Sequence, residues 1–233
     1  MAVDSLDSAA AAWDAGADRI ELCQALEVGG LTPSPGMMEA AVSAARGPVF
    51  AMLRPKPGDF VLGPGELDIM LWDIEEAGSA GCGGVVIGAL GGDGSIDVSA
   101  TRQMVAAAGK MAVTFHRALD LCRDPVAGLL ALQGIPVTRL LSAGGLTTAF
   151  EGRHQLAAIV RAAGAIVVVA GGGVMADHVV ELVETTGVRE IHLAGVRRTP
   201  SGAGAAFGMN VTPSPARVRS VIEALERAFG PRR

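Results

Sequence analysis

Brief apolar runs recur along the chain, each followed by a glycine-bearing turn and then a longer amphipathic stretch rich in Ala and Leu. Short runs bounded by turn residues read as strands, and long periodic stretches as helices. The pattern predicts strands at 2–4, 19–22, 48–53, 84–88, 112–116, 139–142, 166–170 and 190–194. Helices are expected at 6–15, 35–45, 66–80, 99–108, 149–163 and 177–186, with a last one at 215–229. Pro125 suits the first turn of a further helix reaching 132, because its missing N–H falls where no helical bond is made. Eight strand–helix units in 233 residues, without a shift of composition between the halves, predict an α/β chain folded as one (β/α)8 TIM-barrel domain. An open doubly wound sheet would carry a Gly-x-Gly-x-x-Gly turn after its first strand, and this chain has none there. The first strand reads as cut short, a stub or the remainder of a longer one. The segment 199–215, rich in Gly, Ala and Ser, reads as a long loop, either a lid or a linker.

Side chains alternate along a barrel strand between the helix layer and the lumen. Ile20 and Leu22 claim the helix side of their strand, which turns Glu21 inward. The same parity sends Arg54 inward with Met52, His116 with Thr114, and His192 from the last strand. Barrel enzymes keep their sites at the C-terminal ends of the strands, where Arg54 and His116 fall. Arg117 and Asp120 follow in the loop above His116. Glu21, Arg54 and His116 would equally satisfy one another as a structural ion network. His192 reads either as a core residue or as part of the site, while His154 and His178 fall within helices and read as surface residues.

Three glycine turns and a proline turn border the same opening. Arg54-Pro-Lys-Pro-Gly-Asp59-Phe60 is stiffened by its prolines and presents Asp59. Ser142-Ala-Gly144-Gly145, Gly171-Gly172-Gly173 and Gly195-Val-Arg197-Arg198 follow the sixth, seventh and eighth strands. Backbone N–H groups in such turns, with arginines beside them, suit a phosphate or carboxylate.

Composition narrows the partners. A net charge of −5 without a basic cluster excludes the phosphate neutralisation that nucleic-acid binding requires. No window of about 18 apolar residues predicts a membrane span. Met1-Ala-Val-Asp4 lacks the basic region and apolar core of a signal peptide, so a cytoplasmic protein is expected. Cys23, Cys82 and Cys122 are odd in number and form no Cys-x-x-Cys pair, hence neither a disulfide framework nor a zinc site. Lys56 and Lys110 lie off the lumenal strand ends, which disfavours a Schiff base, and no Gly-x-Ser-x-Gly elbow is present. Acid–base chemistry by Glu21 and His116 remains, with Arg54 and Arg117 holding an anion. Isomerisation, epimerisation or retro-aldol cleavage of a small anionic substrate would fit.

Four stretches together are similar to the CutC family, the so-called copper homeostasis proteins. They are Ala15-Gly-Ala-Asp-Arg-Ile-Glu-Leu-Cys23, Glu27-Val-Gly-Gly-Leu-Thr-Pro-Ser-Pro-Gly36, Arg54-Pro-Lys-Pro-Gly-Asp-Phe60 and Val113-Thr-Phe-His-Arg-Ala-Leu-Asp120. Leu141-Ser-Ala-Gly144 and Ala170-Gly-Gly-Gly-Val174 fit the same pattern. The resemblance implies a TIM barrel, a cytoplasmic location, a homo-oligomer (dimer or tetramer) and a role in copper handling. Members usually carry a Glu and a Cys in a longer first strand, and Ala2 stands here where that Cys would be. Copper(I) prefers thiolate and thioether ligands, so Cys23 is left as the expected copper ligand, without a second cysteine across the strands. The simpler reading of each cysteine is a small core residue. Copper handling through Cys23 and enzymatic work at Glu21, Arg54 and His116 both stay open.

Overall fold

A computed structural model describes residues 1–194, 196–200 and 209–231, with 196–200 and 209–213 described as backbone only. Strands β1 (Ala2–Val3), β2 (Ile20–Leu22), β3 (Val49–Met52), β4 (Gly84–Ile87), β5 (Ala112–Phe115), β6 (Arg139–Ser142), β7 (Val167–Gly171) and β8 (Glu190–His192) pair in sequential order, all parallel. A parallel bridge between Ala2 and Ala194, with the Ala2 N–H on the Leu193 carbonyl at 2.8 Å, brings β8 back to β1. The result is a nearly closed TIM barrel, as the strand–helix repeat predicts.

Helices α1 (Leu6–Asp14), α2 (Pro35–Ser43), α3 (Glu66–Ser79), α4 (Val98–Ala108), α5 (Pro125–Leu132), α6 (Arg153–Ala162), α7 (Val179–Thr186) and α8 (Pro215–Phe229) complete the units. Their starts follow local chemistry. Ser5 and Ser8 form a capping box on α1, Asp97 caps α4, and Asp124 caps α5 with Pro125 in the first turn. Helix α6 begins later than the apolar pattern suggests, because Thr148 and Glu151 exchange hydrogen bonds in a separate turn before it. The expected loop at 199–215 is corrected in part. Strands β9 (Val196–Pro200) and β10 (Met209–Pro213) pair antiparallel, since β-branched residues flank the glycine-rich centre.

The apolar residues sort into two cores by strand parity. Ile20, Leu22, Ala51, Leu53, Val85, Ile87, Val113 and Phe115 belong to the layer between sheet and helices. Ala2, Cys23, Phe50, Met52 and Val86 fill the lumen. The N-terminal end of the lumen is packed by charge. Glu190 takes Arg19 at 2.6 Å and Arg139 at 3.0 Å, and both guanidinium groups lie over Phe50, at 5.0 and 5.8 Å from its centroid. Burial pushes the Glu190 carboxyl up, but the hydrogen bonds from Arg139 and Arg19 outweigh it and hold it below the ordinary range. Among the described residues no helix is long and apolar enough to cross a membrane.

Candidate active site

Three clusters of polar side chains occupy the lumenal face of the strands and the loops past their C-terminal ends. The first joins the ends of β3, β4 and β5. His116 follows Phe115, and its Nδ1 accepts the Ala118 N–H at 3.1 Å, which starts a 3-10 turn over Arg117–Leu121. A Cβ on Gly88 would come within 2.2 Å of the His116 ring, so only the bare Gly88 backbone leaves the imidazole its place. The Phe60 ring sits 4.5 Å from that of His116, and the Arg54 guanidinium lies over Phe60 at 4.9 Å. Burial, and then the charge of Arg54, lower the His116 pKa to about 3, so the ring is neutral. Arg54 donates to the carbonyls of Val28 at 2.8 Å and Gly30 at 3.3 Å through Nη1, and of Gly58 at 2.8 Å through Nη2.

The second cluster joins β2 and β8. Glu21 Oε1 lies 3.9 Å from His192 Nε2 and 3.9 Å from Cys23 Sγ. Burial raises the Glu21 carboxyl to about 6 and pushes His192 well below its ordinary value. Burial and the neighbouring Glu21 push the Cys23 thiol well up. Among the described residues neither Arg54 nor His116 hydrogen-bonds to Glu21, so the compact Glu–Arg–His network that parity suggested is not formed. Arg54 meets His116, and Glu21 meets His192 and Cys23.

The third cluster is a knot between the loops after β5 and β6. Asp120 accepts from Arg117 Nε at 2.7 Å, Ser142 Oγ at 2.5 Å, Ala143 N–H at 2.9 Å and Gly145 N–H at 3.1 Å. Ser142 Oγ in turn accepts the Gly144 N–H at 2.9 Å. These donors, read from sequence as substrate contacts, are occupied by Asp120 and Ser142. Gly144 is required by packing, because a Cβ there would meet the Gly152 carbonyl oxygen at 2.2 Å. Gly171 sits at the end of β7 against Leu141 and His192, and Gly172 borders the Arg117 guanidinium. Gly173 adopts a positive φ of 63° and faces Thr148. Arg117 Nη2 donates to the Leu146 carbonyl at 3.0 Å. Asp59 is exposed on the proline turn, while Lys56 pairs with Glu66 at 2.9 Å. Gly195 and the side chain of Arg197 lie outside the described residues.

Other histidines and cysteines fall away from the mouth or are satisfied. His154 is exposed, whereas His178 is partly buried and stacks on Phe150 at 4.6 Å, a correction to its reading as a surface residue. It precedes α7 instead of lying inside it, which turns the ring back onto α6's approach. Cys82 and Cys122 are buried in the outer core. Among the described residues no group of three or more His, Cys, Asp or Glu is arranged to hold a metal ion. A groove of about 620 Å³ opens at the barrel's other end, between α7, α8 and the start of β8, with walls such as Val183, Ile191, Val218 and Leu225. Sequence reasoning missed the contact of His192 with Glu21, the role of Gly88 and the Arg19–Glu190–Arg139 packing. Charged residues opening β6 and β8 were the available signal for the last.

Eight parallel strands in sequential order, with ionisable residues gathered past their C-terminal ends, define a TIM-barrel protein. More narrowly, the CutC family profile matches residues 1–197, and the chain belongs to that family. A CutC family protein of Pasteurella multocida is 40% identical over 215 residues, covering 90% of this chain and 88% of that one. One from Xanthomonas campestris pv. campestris is 38% identical and covers 98% of both chains. A solved CutC structure from Streptococcus agalactiae, described as a copper homeostasis protein, superposes with a TM-score of 0.78 at 30% identity, covering 82% of this chain and 95% of that one.

Proposed function

We propose that this chain is an enzyme acting on a small anionic substrate at the barrel mouth, with Glu21 as the group that moves a proton. The observation that carries this reading is a buried carboxyl on the lumenal face of β2, raised by burial to about 6, in a lumen that also holds the unpaired buried nitrogens of Arg54 and His116. A base titrating close to neutrality accepts and returns a proton without a large penalty in either direction. Arg54 and Arg117 supply positive charge for the substrate's anionic group. Asp120 positions Arg117 and the loop after β6, and stays out of the reaction. Isomerisation, epimerisation and retro-aldol cleavage all use these parts, and each begins with loss of a proton to a base. The test is a screen of small hydroxy acids, oxo acids and sugar phosphates for solvent-deuterium incorporation or turnover. Glu21→Gln should lower the rate of any hit by roughly 100-fold or more while leaving the fold intact. A hit whose rate is unchanged in Glu21→Gln removes the reading.

Copper handling is the second reading. The specific observation for it is that Cys23 Sγ, just past the end of β2, and the methyl end of the Met52 thioether, at the end of β3, both border Gly30. Soft sulfur ligands suit copper(I), and the relative from Streptococcus agalactiae carries a copper homeostasis name. Binding would have to displace the proton that burial holds on the Cys23 thiol. Copper(I) titration of wild type and Cys23→Ser decides: tight stoichiometric binding lost in the variant supports it, and no binding leaves the enzyme. A cytoplasmic location and a dimer or tetramer belong to both readings, and sedimentation of the purified chain tests the assembly.

A further inference from the structure

Two nitrogen donors in the mouth have no hydrogen-bond partner among the described residues, Arg54 Nε and His116 Nε2. Their residues are 8% and 3% exposed, so water does not serve them at the surface. The remaining nitrogens of both side chains are committed. Arg54 spends Nη1 and Nη2 on three carbonyls, and His116 Nδ1 accepts the Ala118 N–H. That last bond decides the tautomer. A ring nitrogen that accepts a backbone N–H carries no proton, so the proton of the neutral ring sits on Nε2. Both side chains rest on the same Phe60 ring, whose face is a weak acceptor at best. Buried donors left unpaired cost folding free energy, and such groups persist where a ligand completes them.

We propose that His116 and Arg54 form the electrophilic half of the site, donating through Nε2–H and Nε–H to the oxygens of a small carboxylate or carbonyl substrate that takes the place of Phe60. This rests on the reading of the chain as an enzyme and names the substrate class: an oxo or hydroxy acid whose reaction builds negative charge on oxygen. His116 then acts as a neutral hydrogen-bond donor and is not a base, since its one free lone pair is already turned to Ala118. When a C–H bond of the substrate breaks, the proton passes to the Glu21 carboxylate and the electron pair comes to rest on the oxygen held by His116 and Arg54. Burial and the charge of Arg54 keep His116 neutral. Arg54 faces it from the loop after β3, while among the other charged groups nearby Lys56 is paired with Glu66, Asp59 is exposed, and Arg117 and Asp120 on its own turn bind each other.

Long-range proton–nitrogen NMR of the full chain labelled at histidine, from pH 5 to 8, reads the tautomer directly. One signal set, absent in His116→Gln, should keep the Nε2–H pattern throughout. A His116 that titrates in this range, or holds its proton on Nδ1, overturns the assignment. Oxalate is the probe for the ligand class. It should bind saturably, shift the His116 Nε2 proton, and bind about tenfold more weakly or worse in His116→Ala and in Arg54→Lys, which keeps the charge but removes Nε. His116→Gln, whose amide N–H replaces Nε2–H, should stay within about threefold of wild type. Absence of oxalate binding, or equal binding in all variants, overturns the proposed ligand class. None of these readouts uses turnover, so they fail independently of the Glu21→Gln test.

Discussion

Glu21 and His116 both favour their neutral forms in the folded chain, and the consequences for stability have opposite signs. The Glu21 pKa is raised from 4.5 to about 6, so its contribution is present below about pH 4.5 and lost as pH rises through 6. The loss is about 2 kcal/mol. Glu21→Gln should therefore melt higher than wild type at pH 8 and show no such advantage at pH 4, read by thermal melts at both. The His116 pKa is lowered from 6.5 to about 3, so its contribution is present above pH 6.5 and lost as pH falls toward 3. At pH 5 the loss is already about 2 kcal/mol. In His116→Gln the decline of stability between pH 7 and pH 5 should be shallower by about that amount. Gly88 shows what sequence parity leaves out. The alternation points His116 inward, but nothing near His116 in the sequence says that the residue just past the neighbouring strand β4 must lack a Cβ. Gly88→Ala should displace the imidazole and cost about 1–3 kcal/mol in urea melts.

Between elements, the firmest connection at the mouth is the Asp120 knot. It ties the 3-10 turn after β5 to the loop after β6 with a carboxylate that accepts from a guanidinium, a hydroxyl and two amides. Asp120→Asn keeps the shape but loses the charge and one acceptor, and should cost about 1.5–3 kcal/mol. Amide exchange at Ala143, Gly144 and Gly145 should quicken in the same variant. A substrate contact would leave free-chain exchange there unchanged, so the experiment separates a positioning role from a binding one. The residue types of the knot were legible in sequence, as an Arg-x-x-Asp run and a Ser-Ala-Gly-Gly turn. Their partnership was not, because a glycine turn that offers amides to a ligand and one that offers them to a neighbouring loop look alike until the loops are placed.

Across the whole molecule, charge packs one end of the barrel and lines the other. At the N-terminal end Glu190 holds Arg19 and Arg139, with the three side chains about one-quarter exposed. Glu190→Ala leaves two guanidinium groups facing each other over Phe50, and chemical denaturation should show a loss of roughly 2–4 kcal/mol. The strand–helix repeat and the two-residue alternation are local properties, so the barrel, its strand order and the inward faces of Glu21, Arg54 and His116 were determined by the sequence alone. Which inward residues touch was decided only by the tertiary structure. Closure of β8 onto β1 carries His192 to Glu21 from the far end of the chain, while the stagger of β3 to β5 sets Arg54 beside His116. Sideways contacts in a barrel depend on register and tilt summed over every strand pair, and no local pattern holds that sum.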